Sequence, residues 1–220
     1  MTLEEILQRI GSYVDQDSAT PTDSDLDIRS NFVNFAYEEW ANSYDWDETR
    51  LTYTFAPATA STVSVSLPAD FMKIQSPLYE QTSESSRPLE YTMIREADKW
   101  AYNTSDKVFY VSGNRSVGYT MLVPRGLTSG ATCELRYQSH PTSLATLSAI
   151  PVMSNPNYLV QRGVAFVLES RGDTRFPTAK ADADRILASM IEHQNVIRSG
   201  GGENRIRDFY SRRGFRIGRR

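Results

Sequence analysis

The sequence has a single cysteine and only two histidines among its 220 residues. Cys133 alone cannot form an intramolecular disulfide or a Cys-x-x-Cys zinc site, and its strand-like surroundings favour a small core residue over a reactive thiol. His140 and His193 have no second histidine or cysteine at metal-ligand spacing. Phosphate-loop, dinucleotide-binding and hydrolase motifs are missing too. We therefore predict no catalytic residue, no metal site and no cofactor, and a protein that is not an enzyme.

Long apolar runs are also absent. No run approaches the roughly 18 residues of a membrane-spanning helix. The N-terminus, MTLEEILQRIG, is acidic and amphipathic, whereas a secretory signal begins basic and continues apolar. The sequence predicts a soluble protein with no membrane partner.

The charges are distributed unevenly along a chain whose formal net charge is only −3. Residues 1–50 contain twelve acids and three arginines, a net charge of −9, whereas residues 51–197 balance to zero. Residues 198–220 contain eight arginines and two acids, a net charge of +6. This last segment has too little apolar surface to fold alone, so it needs a partner to become ordered.

Helical periodicity marks both ends of the chain. Thr2 and Glu5 match a capping box, and residues 2–14 are predicted as an amphipathic helix. Ser24 is the predicted N-cap of a second helix. Asn155 and Pro156 are predicted to start a third helix and Pro177 a fourth, which ends before the three glycines at 200–202. The predicted buried positions are, in chain order, Leu3, Ile6, Leu7, Ile10, Ile28, Phe32, Phe35, Ala36, Val160, Val164, Val167, Leu168, Ala183, Ile186, Leu187, Met190 and Ile191.

Between these helices the apolar period changes from 3.6 to 2, which predicts about six strands. LTYTFAP and STVSVSLP alternate apolar residues with Thr or Ser, and the ATAST between them is predicted as a hairpin-like connection. DFMKIQSPLYE is predicted as a strand that Pro77 interrupts, and Ile94–Tyr102 as a short helix. KVFYVSG, GYTMLVP and ATCELRYQ complete the strands.

The predicted fold class is α+β, a helical bundle built from the N- and C-terminal segments with an inserted β-rich subdomain and an extended C-terminal arm. The predicted divisions are 1–50 for the N-terminal helices, 51–150 for the β-rich insertion, 151–198 for the C-terminal helices and 199–220 for the arm. The run EEWANSYDWDE allows two interpretations. Trp40 is favoured as core, whereas Trp46 is left open between core and subunit contact.

Three interpretations of the basic arm can be compared. A purely solvating tail avoids bulky apolar residues, yet Ile206, Phe209, Tyr210, Phe215 and Ile217 alternate with the arginines. Nucleic-acid binding fits arginine beside aromatic residues, but no recognition module accompanies them. A docking arm, whose apolar side chains fill pockets on a protein while its arginines pair with carboxylates, fits the mixture best.

Several segments together resemble the head-to-tail adaptor (connector) proteins of tailed bacteriophages. They are the W…YDW end of the second helix, SLPADFMKI (66–74), and ELRYQSHPTSL (134–144) before NPNYLVQRGVAFVLESRGD, followed by a final helix and a basic tail. The resemblance implies a structural virion protein of the neck between capsid and tail, assembled in the host cytoplasm. It implies a homo-oligomeric ring, usually a dodecamer, that binds the portal protein and a downstream tail or neck protein.

The resemblance also implies that genomic DNA passes through the ring's channel without sequence-specific binding. The C-terminal segment would reach into the portal. The predicted portal-docking residues are Arg205, Ile206, Arg207, Phe209, Tyr210, Arg212, Arg213, Phe215, Arg216, Ile217, Arg219 and Arg220. The alternatives are another neck component, such as a stopper or tail-completion protein, or a nucleic-acid-binding accessory protein acting through the arginine-rich tail.

Overall fold

The computed structural model describes residues 1–59, 61–83 and 87–198. Within them the chain divides into two compact units, a helical unit of residues 1–47 and 143–198 and a β unit of residues 48–142. The mixed α+β class predicted from the sequence is confirmed. The helical unit contains four α-helices: α1 (Leu3–Val14), α2 (Asp23–Ser43), α3 (Asn157–Ser170) and α4 (Phe176–Arg198).

Helix α1 begins as its sequence predicts. The Thr2 hydroxyl accepts a hydrogen bond from the Glu5 backbone N–H at 3.3 Å, and the Glu5 carboxylate accepts one from the Thr2 backbone N–H at 3.0 Å. This reciprocal pair satisfies two amide groups that have no partner inside the helix. Its apolar stripe is buried in the core of the unit at Leu3, Ile6, Leu7 and Ile10.

Helix α3 is the helix that the other three contact. Gly163 lies where α1 comes closest, since a Cβ built on it would stand 2.5 Å from the Ile10 Cδ1 atom. The predicted apolar face of α3 is buried, at Val160, Val164, Val167 and Leu168. The helix begins one residue later than predicted. Pro156 is the N-cap rather than the first helical residue, while Asn155 Oδ1 accepts from the Asn157 N–H at 3.2 Å.

The predicted stripe of α4 also faces the core. Ala183 and Met190 are buried, while Ile186, Leu187 and Ile191 are partly buried and pack against the same core. The helix begins at Phe176, so Pro177 lies in its first turn, where a missing N–H costs no hydrogen bond.

Two predictions for α2 are wrong. Ser24 lies inside the helix, and Thr22 precedes it without a side-chain capping bond. Ile28 and Phe35 are 49% and 59% exposed, because the helix is rotated so that a neighbouring stripe faces α3. That stripe carries the larger aromatic side chains and buries more apolar area. Its buried members are Val33, Ala36, Tyr37, Trp40 and Ala41.

The aromatic run after α2 belongs to the core. Trp40 and Trp46 are 0% and 1% exposed, and their rings stack with centroids 5.1 Å apart. The Trp46 indole N–H donates to the Trp40 carbonyl at 2.6 Å. Core is thus confirmed for Trp40, and for Trp46 the open choice is decided in favour of core.

The β unit holds eight strands among the residues described. They are β1 (Arg50–Phe55), β2 (Thr62–Ser66), β3 (Phe71–Ile74), β4 (Leu78–Gln81), β5 (Leu89–Met93), β6 (Val108–Asn114), β7 (Gly118–Leu127) and β8 (Thr132–Ser139). Short 3₁₀ helices span Asp47–Thr49 and Glu96–Ala101, the second where the sequence predicted a short helix over Ile94–Tyr102.

The strands form one curled sheet in the order β1-β8-β4-β5-β6-β7-β2. The hairpin predicted between β1 and β2 is wrong, since β1 pairs with β8 and β2 with β7, at the two ends of this order. Their connection lacks the Gly or Asn residues that tight hairpin turns require. The interruption at Pro77 is confirmed. β3 and β4 lie one after the other along the same edge of β8.

A carboxylate is buried in the core of the β unit. Glu80 on β4 is 1% exposed, and its oxygens accept hydrogen bonds from the Tyr91 hydroxyl and the Thr128 backbone N–H, each at 2.5 Å. Burial opposes the charged form, but these hydrogen bonds and nearby Arg125 outweigh it and hold the pKa of Glu80 below its usual value. Burial raises the pKa of the Tyr91 hydroxyl, as does its bond to Glu80, so Tyr91 remains a donor.

Glu80→Gln is expected to lower the free energy of unfolding by about 2 kcal/mol at pH 7. The charge-assisted hydrogen bonds to Glu80 are lost, and the NH₂ group of the new amide would face a donor, either the Tyr91 hydroxyl or the Thr128 N–H. Because the folded-state pKa is depressed, the ionic stabilisation is complete above the unfolded-state value near 4.5. It is lost as the pH falls through the folded-state pKa. Chemical denaturation at pH 7 and in the acid range measures both effects.

The matched control for this prediction is Glu90→Gln on β5, since Glu90 is exposed. It is expected to change the free energy of unfolding by less than about 0.5 kcal/mol. The wild-type protein and Glu80→Gln should approach the same stability in acid. An equal stability at pH 7 would contradict the assignment of Glu80 as a buried acceptor.

Candidate partner-binding surfaces

The predicted portal-docking residues, Arg205 to Arg220, lie outside the described residues, so that assignment stays a prediction. The structure does describe where the segment that carries them leaves the helical unit. This origin is the C-terminal end of α4 at Arg198.

Arg198 is held by the segment that follows α2. Its guanidinium donates to the Asp45 carbonyl and, at 3.0 Å, to the Asp47 carboxylate. It also lies 5.0 Å from the centroid of the Tyr44 ring, whose hydroxyl donates to Asn195 Oδ1 at 2.6 Å. We call these five residues, Tyr44, Asp45, Asp47, Asn195 and Arg198, the arm base.

The arm base is attached to the aromatic core. Tyr44 packs edge-on against Trp46, with centroids 5.3 Å apart, and Trp46 in turn stacks on Trp40. The sequence drew attention to this aromatic run but gave no sign that Arg198 binds it. The pairing joins residues about 150 positions apart, and no local spacing encodes it.

A second surface lies along α2. One face of this helix carries five exposed residues, each three or four positions after the one before. We call them the α2 outer stripe: Ile28, Asn31, Phe35, Glu38 and Asn42. Ile28 and Phe35 are the residues that the sequence assigned to the core.

A third surface is centred on the 3₁₀ helix Glu96–Ala101 of the β unit. The Trp100 side chain is 87% exposed, with Met93 and Tyr102 nearby in sequence at 48% and 43%. Lys99 Nζ lies 5.4 Å from the Trp100 ring centroid and 5.8 Å from that of Tyr110. An almost fully exposed tryptophan is typical of an interaction surface. The sequence predicted a short helix here, but no pattern in it marked Trp100 as exposed.

No group of three or more potential metal ligands occurs in the described ranges. In the same ranges no helix is both long and apolar enough to span a membrane. Cys133 is fully buried on β8, and burial, aided by the Glu80 charge, raises the pKa of its thiol to about 12. It is therefore a core residue, as its strand-like surroundings predicted.

The described fold and surfaces define a mixed α+β protein with exposed aromatic and charged groups suited to contacts with other macromolecules. The family model described as SU10 adaptor protein matches residues 1–205. The chain therefore belongs to the SU10 adaptor protein family, and the predicted relation to phage head-to-tail adaptors is confirmed. The family identifies it as a structural adaptor protein of phages. No curated protein matches the chain.

The extent of this match bears on the docking arm. The match ends at residue 205, so of the predicted docking residues only Arg205 falls inside it. Membership of the family thus rests on residues 1–205, and residues 206–220 lie outside the match.

Proposed function

We propose that this protein forms a ring in the virion neck of a tailed phage, where it docks on the portal and extends the DNA channel towards the tail. The observation that carries the proposal is the adaptor-family match over residues 1–205, which spans both units. The proposed ring is a dodecamer assembled in the host cytoplasm, with a downstream tail or neck protein as its second partner.

The charge distribution supports a ring with a DNA channel. The described residues of the helical unit contain sixteen acids and eight basic residues. A ring repeats one head-to-tail interface around an axis. An acidic channel lining repels the phosphate backbone and lets DNA slide, whereas a basic lining would grip it. We propose that the acidic N-terminal helices line the channel, so that DNA passes without sequence-specific binding. This role is structural and needs no catalytic residue or cofactor.

The C-terminal segment is the proposed portal-docking element. Residues 199–220 contain seven arginines and five large apolar residues, a composition suited to apolar pockets surrounded by carboxylates. The arm base supports this role. Arg198 fixes the point from which the segment departs, which reduces the entropy cost of docking it. The four helices form the proposed bundle that carries the arm.

Electron microscopy of the purified protein, with and without a portal, tests this proposal. Closed rings are expected, and in the presence of the portal they should be coaxial with it. A strict monomer under both conditions would contradict the ring, and a ring with the N-terminal helices on its outer rim would contradict the channel lining.

A further inference from the structure

The α2 outer stripe carries apolar side chains with acidic side chains next to them. Ile28 and Phe35 are seven residues apart, about two turns, and point the same way. Both side chains are about half exposed. The acids Asp27 and Glu38 flank them on the exposed side of the helix. Large apolar side chains that stay about half exposed on one face of a helix indicate a docking surface.

One segment of this chain has the complementary composition. Residues 199–220 carry seven arginines against Glu203 and Asp208, a net charge of +5, whereas the described helical unit has a net charge of −8. Five large apolar residues alternate with these arginines: Ile206, Phe209, Tyr210, Phe215 and Ile217. Apolar groups spaced among positive charges match apolar groups flanked by acids.

The segment also starts near the C-terminal end of α2, the helix that carries the stripe. The arm base holds Arg198 against Tyr44 and Asp47, immediately after the last residue of α2, Ser43. At 1.5 Å per residue, Phe35 lies about 12 Å and Ile28 about 23 Å along the helix from that end. An extended chain spans about 3.3 Å per residue, so Ile206 can reach about 26 Å and Tyr210 about 40 Å from Arg198. Both apolar positions are therefore within reach of the segment's own helical unit.

We infer that in the free protein residues 199–220 dock in cis along the α2 outer stripe, with apolar side chains on Ile28 and Phe35 and arginines beside Asp27 and Glu38. The inference concerns the protein before it meets a partner. A partner that takes the segment must then displace it from the stripe, so the stripe regulates when the segment becomes available.

Disulfide trapping in the full-length protein tests the inference. Cys133 is fully buried with a raised thiol pKa, so introduced cysteines react alone. The test pair is Asn31→Cys on the stripe with Ser211→Cys in the segment. The control pair is Ser189→Cys with Ser211→Cys, since Ser189 is exposed on α4 and lies only nine residues from Arg198. Chance encounters therefore favour the control.

The test pair is expected to oxidise at least roughly tenfold faster than the control pair and to give a cross-linked monomer, because docking raises the effective concentration of the two thiols. Adding Phe35→Ser to the test pair should return the rate to that of the control. Equal rates for the two pairs would overturn the inference, and so would a cross-linked dimer, which would place the segment on a second copy. The portal is absent from this experiment, so its result is independent of portal docking.

Discussion

A chain ending at Arg198 is expected to lose portal binding while both of its units remain folded. The described core residues of the two units all lie before position 199, so the truncation removes no apolar contact among them. It removes seven arginines and five large apolar side chains, the residue types that dominate interface energies. We expect portal affinity to fall at least about a hundredfold, or roughly 3 kcal/mol. Sedimentation with purified portal measures it, and circular dichroism follows unfolding.

A full-length variant separates docking from simple charge attraction. Phe209→Ser, Tyr210→Ser and Phe215→Ser together keep every arginine, and should weaken portal binding nearly as much as the truncation if the aromatic side chains fill pockets. Undiminished binding by the truncated chain would contradict portal docking through this segment. Binding of the segment to DNA or RNA with an affinity that falls steeply with salt would favour the nucleic-acid alternative instead.

Features encoded by short-range spacing could be predicted from the sequence. The capping box of α1 needs only Thr2 and Glu5, and the interruption at Pro77 follows from a missing N–H. The apolar face of α3 was also correct, because that helix is buried on most sides. In such a helix most apolar positions are buried, so a stripe chosen from them is correct.

Features decided by packing between distant segments could not be predicted. Two adjacent stripes of α2 were both apolar enough to be buried, and contact with α3 selected the one with Tyr37 and Trp40. β1 and β2 are neighbours in sequence, yet they lie at opposite ends of the strand order. The paired residues are at least 78 positions apart for β1 and β8 and at least 54 for β2 and β7. Glu80 looked like any strand acid, because its two donors come from β5 and from the β7–β8 connection.

The surfaces were the hardest to predict for the same reason. An apolar residue signals core to any pattern-based analysis, so Ile28, Phe35 and Trp100 attract notice only when the structure shows them exposed. The arginine-rich composition of the C-terminal segment was visible in the sequence. Its attachment through Arg198 depends on a fold that brings the ends of α2 and α4 together.

Trp40→Ala is expected to lower the free energy of unfolding of the helical unit by about 4 kcal/mol. The indole is fully buried between Tyr37 and Trp46, with ring centroids 5.6 and 5.1 Å away. Alanine would leave a cavity beneath the residues that hold the arm base. Thermal and chemical denaturation measure the loss, and a change below about 1 kcal/mol would contradict it. Trp100→Ala is the matched control, since that side chain is 87% exposed and should change stability by less than about 0.5 kcal/mol.

Trp40→Phe isolates the two opposing contributions of this side chain. Among the described atoms the buried Trp40 indole N–H has no hydrogen-bond acceptor, and an unsatisfied buried donor costs about 1 to 3 kcal/mol. Phenylalanine removes that donor while keeping a ring to stack on Tyr37 and Trp46, so part of the lost packing energy is offset. We therefore expect Trp40→Phe to cost only about 1 kcal/mol. A loss as large as that of Trp40→Ala would show that the whole indole volume, rather than an aromatic ring alone, stabilises the core of the helical unit.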